Sequence, residues 1–281
     1  MINNALKHSK SGLVIFDFDD TLCPTEELGF HLENQSAQEL GFSPQDRLIH
    51  KQTWGRPLPE VAPIRFPGID VDAFMERVSE NMQRFSKQGT FDVIGDDALS
   101  MLSDLEQAGM KTAVLTSRIG KEVGHLIDGV HPLSRRIPAE RFFYRETTVH
   151  GKPDPRVFKE IIDKLGCDIE HAVYVGDSPS DGVCAKLGGL SFIATLESGL
   201  RAKTDFISGT VDVFIDRLSD MPQALDVVAR KRKAGEALQH KDVELVLKVA
   251  GETISVPHDY FIEKFPEVKM VVEAITKQHK K

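Results

Sequence analysis

Short apolar runs alternate along the chain with longer stretches in which apolar residues recur every three or four positions. The runs have the length of buried strands, and the stretches between them have the spacing of amphipathic helices. Strands that alternate with helices predict a parallel sheet with helices on both faces, so we expect an α/β fold. The candidate strands are 13–16, 113–115, 141–144, 172–175, 191–194 and 211–215, and the candidate helices include 98–108, 123–127 and 155–165.

The segment 24–89 follows a different pattern. It shows no strand-like alternation, and 70–85 carries apolar residues on one helical face. Ser43 before Pro44 has the form of a helix start, in which a capping residue precedes a proline in the first turn. The proline- and glycine-rich stretch 54–59 is typical of a loop. We therefore expect an all-helical insert after the first strand.

The last part of the chain, 226–281, shows no catalytic pattern. Its basic run 230–233 is typical of a solvated helix face. Apolar residues such as Leu245 and Val249 indicate that this C-terminal extension, which we expect to be helical, packs on another part of the protein.

Composition excludes several classes of function. The 281 residues suit one large or two modest domains, and the net charge of -8 argues against binding to nucleic acid or to anionic membranes. Cys23, Cys167 and Cys184 show no spacing typical of a disulfide framework or a zinc site, which favours a reducing compartment. We see no segment with the form of a signal peptide or the length of a membrane span. We expect a soluble cytoplasmic protein, with monomer and homodimer both open.

The first candidate strand ends in a cluster of acids. Asp17, Asp19 and Asp20 follow the apolar run 13–16 within four positions. Crowded carboxylates repel one another unless a cation lies among them, and the carboxyl end of a parallel strand is where such sheets bind ligands. Taken alone, these acids fit a solvated acidic turn equally well.

Polar groups at three further points make a shared site the better interpretation. Thr116 ends a strand, Lys152 lies in a loop directly before a helix, and Asp177 and Asp181 flank the turn after another strand. Each signal is weak alone, because a hydroxyl after a strand often caps a helix and a loop lysine is often solvated. In this order, at the ends of separate βα units, they predict one site at the carboxyl edge of the sheet.

These residue types suit phosphoryl transfer, which needs charge neutralisation and in-line positioning. We expect Asp17, the first acid after the strand, to be the nucleophile that forms an aspartyl-phosphate. Asp19 would protonate the leaving oxygen and then activate water, which requires a carboxyl that is protonated near neutral pH. Thr116 and the amide of Ser117 would hold the phosphate, and Lys152 would offset the charge on its oxygens.

The same acids predict a magnesium site. Asp17, the backbone carbonyl of Asp19 and Asp177 offer the oxygen ligands that Mg²⁺ prefers. For Asp181 two roles remain open, ligation of the metal through water or contact with Lys152.

The four motifs together resemble a haloacid dehalogenase superfamily hydrolase of the phosphoglycolate phosphatase and β-phosphoglucomutase branch. The resemblance covers about 13–225, with Asp20 at a position where glycine is frequent. It implies a Rossmann-like parallel sheet (the HAD-like fold) for the catalytic core, 1–24 and 92–225, and a helical cap over 25–91. The motifs are 17–21, 114–117, 151–155 and 176–181.

The resemblance also implies which chemistry to expect. The loop that includes Arg56 resembles the substrate-facing loop of that cap, so Arg56 is a candidate for substrate selectivity, with a solvated loop residue as the alternative. An acid at Asp19 favours phosphate esters over halides or phosphonates. We expect a magnesium-dependent phosphatase, a phosphomonoester hydrolase acting on a small phosphorylated metabolite. A phosphomutase on the same scaffold, and a non-catalytic binding protein with this fold, are the alternatives.

Overall fold

A computed structural model describes residues 12–54 and 58–234 of the chain. These residues divide into two compact units. The first runs up to Leu22 and resumes at Gly95, and the second is the helical unit Cys23–Ile94. None of the helices in the described residues combines the length and the apolar character needed to cross a bilayer.

The first unit contains a six-stranded sheet in which every pairing is parallel. The spatial order is β3-β2-β1-β4-β5-β6, so β1 lies between β2 and β4 and the winding direction reverses beside it. This is the α/β fold that the sequence predicts. The strands are β1 (Leu13–Phe16), β2 (Lys111–Leu115), β3 (Phe142–Phe143), β4 (Ala172–Gly176), β5 (Ser191–Thr195) and β6 (Val213–Ile215).

Both faces of the sheet are buried. Alternate residues of β1 point to opposite faces, and Leu13 and Ile15 join a core that includes Val157, Phe158 and Ile161 of one helix. Central strands of this kind read as continuous apolar runs, because neither face meets water. The helices of this unit are α5 (Asp96–Gln107), α6 (Gly120–Val123), α7 (Arg156–Leu165), α8 (Pro179–Leu187) and α9 (Met221–Ala234), with single 3₁₀ turns in the connections.

The regular elements in the described residues of the second unit are all helices, as the absence of strand alternation predicts. Its helices are α1 (Thr25–Glu39), α2 (Arg47–Thr53), α3 (Leu58–Arg65) and α4 (Val71–Lys87). Apolar residues of α1, α3 and α4 form its core, with the rings of Phe66 and Phe74 5.2 Å apart. Asp70 caps α4 by accepting a hydrogen bond from the amide of Ala73, which supports the predicted start at residue 70.

Two predictions inside this unit are wrong in detail. No helix begins at Ser43–Pro44, because the side chain of Asp46 accepts hydrogen bonds from the amides of Leu48 and Ile49 and starts α2 three residues later. The predicted loop 54–59 is also too long, since α3 already begins at residue 58.

The start of the C-terminal extension is also more closely packed than its composition predicts. Helix α9 runs through residue 226, and its basic run 230–233 is not simply solvated. The Arg232 guanidinium donates to Ser191 Oγ (3.0 Å) and to the Ala172 carbonyl (2.6 Å), and Lys231 donates to the Asp212 carbonyl (2.8 Å). These bonds tie α9 to the amino ends of β4, β5 and β6. The rest of the predicted extension, 235–281, lies outside the described residues.

Candidate active site

The candidate site lies where β1, β2 and β4 end. Phe16, the last residue of β1, pairs with Val114 on one side and Val175 on the other. Asp17, Thr116 and Asp177 follow these three strands within one or two residues, so they lie along the same edge of the sheet. The winding reverses between β1 and β4, which is where sheets of this kind bind ligands. The structure therefore brings together the strand-end residues that the sequence singles out.

Asp17 is a nearly buried carboxylate with a fixed backbone. Its amide donates to the Val175 carbonyl (2.8 Å), and its Oδ1 accepts from the Phe18 amide (2.8 Å). The same oxygen lies 2.7 Å from Lys152 Nζ. Burial raises the pKa of Asp17 to about 7, even though the charge of Lys152 acts in the opposite direction. Asp17 is thus held in place, and its charge depends on the cations around it.

Lys152 is shared among three oxygens. Its Nζ lies 2.7 Å from Asp17 Oδ1, 3.1 Å from Asp181 Oδ1 and 3.0 Å from the Tyr174 hydroxyl. Burial lowers the pKa of the ammonium, but the charges of Asp17 and Asp181 outweigh it, so the pKa of Lys152 is raised above its usual value. Lys152 is therefore a permanent cation. Glu160 of α7 supports its loop by accepting hydrogen bonds from the amides of residues 149 and 150.

Asp181 is positioned from both sides. Its Oδ1 accepts from Lys152 and from the Tyr174 hydroxyl (2.9 Å), and its Oδ2 accepts from Ser178 Oγ (2.6 Å). Ser178 caps α8 and receives the side chain of Asp181 in return. Gly176 makes this approach possible, because a Cβ there would lie 2.8–2.9 Å from the Asp181 carboxylate. Of the two roles open for Asp181, contact with Lys152 is present in the structure.

Asp17, Asp177 and Asp181 form a group suited to a metal ion. One carboxylate oxygen from each lies within 4.8 Å of the others. Burial, followed by the negative charges of Asp181 and Asp17, raises the pKa of Asp177 well above its usual value. Hard carboxylate oxygens of this kind fit Mg²⁺. The predicted ligation by the backbone carbonyl of Asp19 stays a prediction.

Thr116 and Ser117 lie directly after β2. The Thr116 amide donates to the Phe143 carbonyl (2.9 Å), and its buried hydroxyl accepts from the amide of Arg118 (3.2 Å). The Ser117 side chain is exposed. This edge position is compatible with the predicted grip on phosphate, which no contact in the structure tests. Arg56, the predicted selectivity residue, lies outside the described residues.

Two residues of the site were not predicted from the sequence. Arg118 pairs with Asp19, its Nη2 lying 2.6 Å from Asp19 Oδ1. Tyr174 donates to Asp181 from the middle of β4, where its sequence context indicates only a buried apolar residue. Arg118 could have been found from its place two residues after a strand end that already carries a candidate. The hydroxyl of Tyr174 gives no such signal.

Comparison with known proteins agrees with this geometry. A sequence model of the family described as haloacid dehalogenase-like hydrolase matches residues 14–195, which is more than half of the chain. The chain therefore belongs to the haloacid dehalogenase-like hydrolases, and the predicted family is confirmed.

The curated relatives specify the class of enzyme further. A phosphorylated carbohydrates phosphatase of Thermotoga maritima is 25% identical over 186 residues, which cover 64% of this chain and 82% of that protein. A phosphoglycolate phosphatase of Rhodospirillum rubrum is 25% identical over 212 residues, covering 72% and 86%. The prediction of an enzyme of the phosphomonoester hydrolase type is confirmed at the level of this class.

Solved structures confirm the fold. CbbY of Rhodobacter sphaeroides in complex with phosphate is 19% identical, with a TM-score of 0.61 over 77% of this chain and 100% of that chain. A Thermotoga maritima protein assigned as a beta-phosphoglucomutase is 22% identical, with a TM-score of 0.63 over 76% and 98%. Identities this low show the architecture alone.

Proposed function

We propose that this protein is a magnesium-dependent phosphatase that hydrolyses a small phosphorylated metabolite through an aspartyl-phosphate on Asp17. The observation that supports this most directly is the surroundings of the Asp17 carboxylate. A lysine ammonium lies 2.7 Å away, and two further acids are close enough to share a cation with it. A carboxylate among cations suits attack on phosphorus, because the charge of the approaching ester is neutralised. The relatives named as phosphatases support the same reaction.

In this proposal a carboxylate oxygen of Asp17 attacks phosphorus, and a bond to Asp17 forms while the bond to the leaving oxygen breaks. Asp19 gives its proton to the leaving oxygen and later takes one from the water that hydrolyses the aspartyl-phosphate. Thr116 and the amide of Ser117 hold the phosphate, while Lys152 offsets the charge on its oxygens.

The acids Asp17, Asp177 and Asp181, with the backbone carbonyl of Asp19, would hold the magnesium ion. When bound, magnesium neutralises negative charge on the phosphate and on the acids. Side chains of the protein position the nucleophile. Lys152 and Asp181 contact one another, and Lys152 keeps the Asp17 carboxylate in a single place. Activity at neutral pH needs Asp17 ionised, and both Lys152 and the metal favour that state.

We also propose that the helical unit acts as a cap that determines substrate selectivity, as the family resemblance implies. Arg56, just after Trp54, remains the candidate residue for contact with the body of the substrate.

A screen of phosphorylated metabolites tests the proposed function. The purified protein is incubated with each compound, with and without magnesium, and both inorganic phosphate and isomeric sugar phosphates are measured. We expect release of phosphate that requires magnesium. An isomerised sugar phosphate without net release of phosphate would indicate the phosphomutase instead, and no turnover of any compound would contradict both.

A further inference from the structure

Arg118 holds the Asp19 carboxylate by both oxygens. Its Nε lies 3.1 Å from Oδ1 and 3.1 Å from Oδ2, and its Nη2 lies 2.6 Å from Oδ1. The guanidinium also stacks over Phe18, with its central carbon 4.6 Å from the ring centroid. Bidentate bonds between arginine and a carboxylate are among the strongest and most directional in proteins. A carboxyl held in this way is not free to turn toward a leaving oxygen.

The main chain of Arg118 is fixed, while its side chain lies where a ligand could reach it. The Arg118 amide donates to Thr116 Oγ1, and its carbonyl accepts from the Arg145 amide (3.0 Å). The Asp19 side chain is 35% exposed and that of Arg118 is 12% exposed. The pair therefore lies at the border of solvent, beside the residues to which we assign the reacting phosphate. The guanidinium can change partners without a change in the main chain.

An arginine that holds the general acid must release it before the reaction. With a neutral substrate body, release breaks the ion pair with Asp19, and the substrate supplies no anion in exchange. A second anionic group on the substrate could replace the Asp19 carboxylate on the same donors, because carboxylate and phosphate both match the fork of the guanidinium. The new ion pair with the substrate would then replace the ion pair with Asp19 that release breaks.

We propose that Arg118 holds Asp19 until a second anionic group of the substrate draws the guanidinium away, which makes Arg118 a positioning and selectivity residue. This inference rests on the proposed phosphatase function. It specifies the substrate as a small phosphate monoester that carries a second anion, either a carboxylate or another phosphate.

Three substrates with the same two-carbon backbone test the proposal. They are 2-phosphoglycolate, ethane-1,2-diyl bisphosphate and 2-hydroxyethyl phosphate, which differ only in the distal group. In the native enzyme we expect kcat/KM to favour at least one of the two compounds with a distal anion over the hydroxyl compound by about 10- to 100-fold, the value of a charged hydrogen bond. The ratio of kcat/KM between 2-phosphoglycolate and ethane-1,2-diyl bisphosphate shows whether the enzyme prefers a distal carboxylate or a distal phosphate. A native enzyme that favours neither contradicts the inference.

The Arg118→Met variant gives the decisive comparison, because methionine keeps the contact with Phe18 and removes the charge. We expect it to lose the preference for the distal anion. Since Asp19 is no longer held, kcat for 2-hydroxyethyl phosphate should rise about two- to fivefold, which is the range for a partly exposed ion pair. A retained preference, or an equal loss on all three substrates, would overturn the proposal. A purely structural role would lower all three together.

Two further variants complete the design. Arg118→Lys keeps the positive charge without the paired donors of the guanidinium, so we expect part of the preference for a distal anion to return. If Arg118→Met does not fold, Arg118→Lys replaces it in the comparison. Arg145→Met removes an exposed arginine nearby and should leave the preference unchanged.

Binding to the inactive Asp17→Asn protein, with and without Arg118→Met, separates this inference from the proposed function. Calorimetry with 2-phosphoglycolate and 2-hydroxyethyl phosphate needs no turnover. We expect Arg118→Met to weaken binding of the first about 10-fold or more and to spare the second. Equal affinities before and after the change would overturn the inference, even if phosphatase activity is found.

Discussion

At the scale of single residues, the site depends on one ammonium group that two acids share. Lys152 contacts Asp17 and Asp181 at the same time, and Tyr174 contacts both Lys152 and Asp181. Burial raises the pKa of Asp17 to about 7 despite the lysine. Any change that moves Lys152 or Asp181 therefore changes the charge available on Asp17, whether or not the altered residue touches the substrate.

Tyr174→Phe tests this sharing with the loss of one oxygen atom. The hydroxyl donates to Asp181 Oδ1 (2.9 Å) and accepts from Lys152 (3.0 Å). We expect the free energy of unfolding to fall by about 1 kcal/mol and kcat to fall severalfold, with little change in KM. Denaturant unfolding and steady-state kinetics measure the two effects. Tyr144→Phe, outside the acidic cluster, is the matched control, and an unchanged kcat for Tyr174→Phe would contradict the account.

The backbone conformation at position 20 explains which residue types are found there. Glycine is frequent at this position in the family that the motifs resemble, and Asp20 has a φ of 55° in the structure. This left-handed conformation is open to glycine without strain, and aspartate is one of the few other residues that adopt it. The tight turn after β1 therefore explains the frequent glycine, and an acid is a tolerated substitute.

At the scale of elements, most strands and helices were predictable because each buries its apolar residues at its own period. The strands read as apolar runs, and α4 begins where its capping aspartate stands. The start expected at Ser43–Pro44 was wrong because two capping residues, Ser43 and Asp46, lie within four positions, and only the chain geometry selects Asp46. The contacts of Arg232 were missed because a basic run gives no sign of the carbonyl groups that it meets.

The residues of the site also differ in whether the sequence alone could predict their contacts. Strand ends meet at one edge of a parallel sheet by topology, so Asp17, Thr116 and Asp177 could be grouped from the sequence alone. The partnership of Arg118 with Asp19 could not, because the two lie 99 positions apart and neither has a period that points to the other.

The helical unit is stabilised by a buried ion pair between α1 and α3. Arg65 Nη1 lies 2.6 Å from Glu33 Oε2, and both side chains are almost fully buried. Burial raises the pKa of Glu33, but hydrogen bonds from His50 and Gln45 and the charge of Arg65 outweigh it, so that pKa is lowered overall.

Arg65→Met leaves a buried carboxylate without its cation. We expect the free energy of unfolding of the helical unit to fall by about 3–5 kcal/mol. Arg84→Met breaks a more exposed pair with Glu39 and should cost about 0–1 kcal/mol, which makes it the matched control. Trp54, the single tryptophan, reports on this unit through its fluorescence, since its ring lies 5.1 Å from that of His50. Equal losses in the two variants would contradict this ranking.

The lowered pKa of Glu33 also predicts how the stability of the fold changes with pH. An acid whose pKa is lower in the folded state stabilises the fold above its unfolded pKa, near 4.5. That contribution is lost as the pH falls through the folded pKa. Urea unfolding followed by Trp54 fluorescence between pH 7 and pH 3 should show a steeper loss for the native protein than for Glu33→Gln. Parallel curves would show that Glu33 does not contribute.

At the scale of the whole molecule, an acidic chain brings three acids together at the site where a cation is expected. The chain has a net charge of -8, and three of its acids converge within 4.8 Å of one another. Burial, and after it the negative charges of Asp181 and Asp17, raises the pKa of Asp177 well above its usual value. A divalent cation should therefore stabilise the folded protein as well as support its activity.

Thermal unfolding and activity with metals test this together. We expect chelator to abolish phosphatase activity and magnesium to restore it, with calcium a poor substitute because its looser coordination disturbs the in-line geometry. Magnesium should also raise the unfolding temperature of the native protein. Asp177→Asn should be more stable than the native protein in chelator and should gain little from magnesium. Full activity in excess chelator would contradict the metal site.

The central claim is that Asp17 carries the phosphoryl group, and trapping the intermediate tests it most directly. In Asp19→Asn the nucleophile remains but the acid and base are lost, a change worth about 10²- to 10⁴-fold. With an aryl phosphate, whose leaving group hardly needs a proton, the first step should proceed and water attack should be slow. We predict a burst of aryl alcohol and an acyl phosphate on Asp17 by mass spectrometry, both absent from Asp17→Asn. Phosphate trapped on another residue, or full activity of Asp17→Asn, would contradict the account.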